Sequence, residues 1–93
     1  MRLMLVVDWK RTTLDKVGAK FASGEDAEPP EGATMISRWH DIASKKAWIV
    51  VEADDASVIQ TWTGAWSEFI DWEVHTIIND EEIAPVLEGL LNR

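Results

Sequence analysis

Leu3-Met4-Leu5-Val6-Val7-Asp8-Trp9 decides the fold: it is an apolar run with β-branched members, flanked by Arg2 and Lys10. A run that is apolar on both of its alternating faces reads as a central strand covered from both sides. Such a strand needs a neighbour on each edge, and the rest of the chain supplies candidates.

Immediately after it, Thr12 or Thr13 can cap a helix, with Asp15 at the helix's positive end. Leu14, Val17 and Phe21 recur at helical spacing, and Ser23-Gly24 ends the helix. Residues 25–32 hold four acids and the Pro29-Pro30 pair, a composition suited to a solvated connection or to a lid over a nearby pocket.

Ala33–Ile42 and Lys46–Ala53 read as a hairpin turning near Ala43-Ser44-Lys45. In its second arm Ala47, Ile49, Val51 and Ala53 share one face, while Trp48, Val50 and Glu52 share the other. Asp54 or Asp55 caps a second helix whose stripe is Val58, Trp62, Ala65, Trp66 and Phe69. The Trp62/Trp66 pair on that stripe reads as core packing. A fourth strand is expected from about Phe69 to Ile78, with Asp71, Glu73, His75 and Ile77 on one face. The tail from Asn79 to Arg93 is a final helix with a narrow face of Ile83, Val86, Leu87, Leu90 and Leu91. Pro85 belongs in a first turn, which places the regular start of this helix around Glu82.

The order β-α-β-β-α-β, then α, predicts one α+β domain over residues 1–93, ferredoxin-like, with an antiparallel sheet in strand order 4-1-3-2. Both crossover helices then lie on one face. The opposite face keeps Trp48, Val50, Ile77 and half of the first strand, at about 25 cal/mol per Å² for apolar area left wet. Either the last helix or a second subunit covers it. A one-residue slip decides whether Trp39 or the Arg38 and His40 pair joins that face. Trp39 is the expectation, because it then neighbours Trp48; otherwise Arg38 is a cation facing Glu52.

Composition narrows the function classes. Seventeen acidic against nine basic residues give a net charge of −8, which argues against nucleic acid or an anionic membrane surface as partner. No cysteine is present, so disulfides, thiolate metal sites and Cys nucleophiles are excluded. The apolar start is too short for a signal core or a membrane span, which leaves a cytoplasmic location as the default expectation. Six tryptophans are many for 93 residues to bury and raise the expectation of an association surface.

Glu52, Glu73 and His75 are the candidate chemical residues. A carboxylate in a partly apolar interior favours its neutral form and a nearby imidazole is pulled the other way, as in a general acid or base or a polar ligand anchor. The structural alternative is a polar cluster closing a subunit interface. Trp39 and Trp48 complete the candidate ligand-binding set as an aromatic wall. His40, His75, Glu52 and Glu73 show no metal-ligand spacing, so no metal and no cofactor is expected. Walker A, G-x-G-x-x-G and G-x-S-x-G stretches are absent.

Pro30-Glu31-Gly32-Ala33-Thr34, Ser37-Arg38-Trp39, Val50-Val51-Glu52-Ala53-Asp54-Asp55, Trp62-Thr63-Gly64-Ala65-Trp66 and Phe69-Ile70-Asp71-Trp72-Glu73-Val74 carry a resemblance across nearly the whole chain. The chain resembles an uncharacterised family of bacterial domains of about this length, of unknown function, in the dimeric α+β barrel superfamily. It departs at Arg38-Trp39-His40, where the family often has smaller or apolar neighbours beside the Trp. The resemblance implies two sheets meeting face to face in a homodimer and brings no reaction with it. The expectation is therefore a homodimer binding an unidentified small molecule. Two rivals stand beside it. One is a cofactor-independent oxygenase or isomerase acting on a small apolar or aromatic substrate, with His75 as base and Glu52 or Glu73 orienting it. The other is a structural or stress-related assembly protein with a filled barrel.

Overall fold

The computed structural model describes residues 1–93. Its elements follow the order β1 (Arg2–Asp8), α1 (Leu14–Ala22), β2 (Ala33–Asp41), β3 (Lys46–Ala53), α2 (Ala56–Gly64), β4 (Asp71–Thr76) and α3 (Asp80–Leu91). The four strands form one antiparallel sheet in the order β2-β3-β1-β4, the expected order read from the other edge. β1 is central as its apolar run requires: Leu3, Leu5 and Val7 are buried on one side, and Met4 and Val6 are half-buried on the other. Ala47, Ile49, Val51 and Ala53 of β3 join the buried side. Ile59, Trp62 and Trp66 close the core from above.

The helix starts follow their caps. Thr13 Oγ1 accepts the Lys16 amide at the head of α1, and Asp55 accepts the Ser57 amide at the head of α2. α2 ends at Gly64, earlier than the stripe reaching Phe69 suggests. Arg11 braces the turns that follow: its guanidinium donates to the Ser67, Glu68 and Ile70 carbonyls and pairs with Asp71 at 3.0 Å. These carbonyls thus find partners in a run of turns, and β4 begins at Asp71 instead of Phe69.

α3 departs most from expectation. It begins at Asp80, because Asn79 and Glu82 form a reciprocal capping box. Pro85 lies in the second turn, where it removes one intrahelical bond in a fully exposed helix whose free carbonyl faces water. No residue of α3 is buried, and Ile83, Val86, Leu87, Leu90 and Leu91 are all exposed. The helix does not lie over its own sheet. It stands off, anchored at its first turn by Arg2 Nη1 to Glu82 Oε1 at 2.8 Å. The radius of gyration reflects this, at 15.5 Å against about 12 Å for a compact chain of this length. No helix is long and apolar enough to cross a membrane.

Candidate functional site

Strand register sorts the polar and aromatic residues onto two faces. On the face without helices, Trp39 lies opposite Trp48, Trp48 opposite Val6, and Val6 opposite Glu73. The next row runs Ser37, Val50, Met4, His75. β2 keeps Trp39 on this face through a bulge between Met35 and Ser37, which leaves Ile36 as the extra, exposed residue. The Trp39 register expected from sequence is the one observed.

The expected site residues therefore share a face but do not form one cluster. His75 Nε2 and Glu73 Oε2 approach to 3.2 Å near the edge of the sheet, both exposed. Glu52 sits a row beyond His75 and two strands away, where it accepts from the Met1 amino group at 2.7 Å. Trp39 and Trp48 form a pair of their own on β2 and β3.

Arg38 and His40 go to the other face, over the helices' side of the sheet. There the structure holds a cavity of about 250 Å³. α1 does not seat on the sheet; its stripe of Leu14, Val17 and Phe21 roofs this space. That is why α1, although amphipathic, buries no residue. The floor is Val7, Ala47 and Ile49, and the walls are Trp9, Trp62, Trp66, Ile70 and Trp72.

The segment after α1 forms the rim and is tied down at several points. Asp26 adopts a left-handed φ of 56°, which turns its carbonyl to accept from both Trp62 Nε1 at 2.7 Å and Trp66 Nε1 at 2.8 Å. Ala27 is buried, and its carbonyl accepts from Arg38 Nη1 at 2.6 Å. Residues 25–32, expected as a solvated connection or a lid, are in part a fixed wall of this cavity. Trp62 and Trp66 are packed in the core as expected and also face the cavity.

The cavity's polar groups are few. Arg38 pairs with Glu28 at 3.2 Å, and its guanidinium carbon lies 4.7 Å from the centre of the Phe21 ring. His40 meets the same ring edge-on at 5.3 Å. Burial, then the neighbouring Arg38 charge, holds the His40 imidazole below its ordinary pKa, so it is neutral at pH 7. Trp72 Nε1 is buried and has no hydrogen-bond partner. No residue of the expected ligand-binding set lines this cavity. Its walls are apolar, as a core is, so only their failure to close up distinguishes them, and that is a property of packing.

The chain matches no curated protein and no solved structure. Over residues 1–91 it matches the family model described as a domain of unknown function, DUF3303, and it belongs to that family.

Proposed function

We propose that the chain is one homodimeric domain that binds a small apolar molecule between its helices and its sheet, and pairs with a second copy through the opposite face. The observation that carries the binding half is the aromatic-walled cavity under α1. Cavities of about 300–1,000 Å³ hold drug-sized ligands, so 250 Å³ suits something smaller, about one ring in size. Thermal unfolding in the presence of neutral monocyclic compounds tests it, because a ligand bound only by the folded state raises the midpoint. Ala47→Leu fills the floor and should abolish that rise. A rise that is the same in wild type and variant, or no rise with any compound, contradicts the reading.

The pairing half rests on area. The chain exposes 6239 Å². A compact monomer of 10.5 kDa exposes about 5,400 Å². The excess of about 800 Å² equals one partner's share of a standard protein interface. It is apolar where it is largest: Trp39, Ile36 and the stripe of α3. A second copy offers the same surfaces in return, so a two-fold arrangement covers both at once. In it, α3 reaches across to the partner, and the Glu73–His75 pair becomes an interfacial contact. Sedimentation equilibrium should give a mass of two chains; one chain at micromolar concentration contradicts the pairing.

A further inference from the structure

Four charged side chains interrupt the apolar lining of the cavity: Asp26, Arg38, Asp41 and Lys46. Three of them are engaged. Asp26 lies 3.5 Å from Lys20, Arg38 pairs with Glu28 at 3.2 Å and donates to the Ala27 carbonyl at 2.6 Å, and Asp41 accepts the Ser44 amide at 3.2 Å. Lys46 is not: its ammonium makes neither an ion pair nor a hydrogen bond, although Lys10, Lys20 and Lys45 all find partners. Given that the cavity is a ligand site as proposed above, we infer that its ligand is a ring compound bearing one carboxylate, with the ring in the cavity and the carboxylate held by Lys46.

Lys46 is the first residue of β3, at the end of the sheet, where a flexible four-carbon stem has room to reach a ligand. Its cross-strand neighbours are both acids, and both already accept from main-chain amides: Asp8 from Lys10 at 2.9 Å and Asp41 from Ser44. The wider surroundings favour an anion even on a chain of net charge −8. Four of its nine Lys and Arg residues gather here: Arg38 and Lys46 line the cavity, and Lys20 and Lys45 lie over the wall rings of Trp66 and Trp9 at 5.1 and 5.3 Å. Of the seventeen acids, two line it. Lys46 is half-buried, so a carboxylate beside it keeps part of its hydration and gains a charge-assisted hydrogen bond. A cationic ring would compete with Ser44 for Asp41 and meet an unpaired Lys46. A neutral ring keeps the apolar contacts alone and binds less tightly.

Benzoate, benzamide and benzamidine share one shape and carry a negative, no and a positive charge at neutral pH, so they separate these cases. Each is titrated into ¹⁵N-labelled protein while the amide and indole resonances are followed. Benzoate should bind about tenfold more tightly than benzamide, and benzamidine no more tightly than benzamide. The advantage of benzoate should shrink as salt is raised. In Lys46→Met it should disappear while the affinity for benzamide is kept, and Lys46→Arg should retain most of it. If benzamide or benzamidine binds as tightly as benzoate, or the advantage survives in Lys46→Met, while Ala47→Leu abolishes binding, the cavity is a ligand site but this assignment of its ligand is wrong. If none of the three binds, or Ala47→Leu leaves their affinities unchanged, the ligand site and the inference built on it both fall.

Discussion

Trp39 and Trp48 stand directly opposite each other across the β2–β3 ladder, on the face of the sheet that no helix covers. Trp39 is 68% exposed in the single chain. An exposed tryptophan paired with another on an open sheet suits the proposed self-association, because aromatic residues dominate interface energetics. Trp39→Glu should therefore weaken self-association by about thirty-fold or more, equivalent to about 2 kcal/mol at an aromatic anchor. Since the ring packs little within its own chain, the far-ultraviolet spectrum of the monomer should be unchanged. Sedimentation velocity across a dilution series measures both the shift and its absence.

The apolar stripe of α3 makes a separate prediction. Leu87 is exposed and α3 buries nothing in its own chain. A charge at Leu87 should leave the folding of a dilute, monomeric sample unaltered and still loosen the proposed dimer. Leu87→Asp compared with wild type by urea unfolding at two protein concentrations distinguishes these. Equal loss of stability at both concentrations would place α3 on its own subunit.

Much of this layout is legible in the sequence. The alternation of Ala47 to Ala53 and the two-sided apolar run of β1 impose strand order and facing, since a pleated strand has a period of two. Thr13, Asp55 and the Ser23-Gly24 stop mark helix ends by chemistry that acts locally. Features set by distant contacts are less legible. The run of turns between α2 and β4 is held by Arg11, more than fifty residues away, through the Ser67, Glu68 and Ile70 carbonyls. The polar residues Glu52, Glu73 and His75 interrupt apolar faces, yet register sets Glu52 well apart from the other two. The cavity residues Phe21, Trp62, Trp66 and Trp72 read as core, and Trp72's missing partner is a three-dimensional fact. Arg38 and His40 do leave a signal: Arg38-Trp39-His40 alternates two polar side chains onto the helix side of β2.

Gly32 tests the entry into β2. Its φ of +99° is one that side-chain-bearing residues rarely adopt, and a Cβ there would lie 3.1 Å from Val58 Cγ2. Gly32→Ala should destabilise the fold by about 1–2 kcal/mol. For a domain of this size each kcal/mol corresponds to about 4–8 °C in Tm. An unchanged midpoint in calorimetry would contradict the strained position.

His40 gives the fold a pH dependence of predictable sign. Burial and then Arg38 depress its pKa in the folded chain, so the unfolded chain binds the proton at higher pH. Its contribution is full above the ordinary value of about 6.5 and is lost as pH falls through the folded value. The group is largely solvated, so the effect is small. Urea unfolding at pH 7.5 and pH 5.5 should show a decrease for wild type and a smaller one for His40→Gln. An equal decrease in both would assign it elsewhere.

Native mass spectrometry of the freshly purified protein reads subunit number and cargo together. The spectrum should show a particle of two 10.5 kDa chains carrying a small apolar molecule that is lost in Ala47→Leu. A single bare chain at micromolar concentration would contradict it.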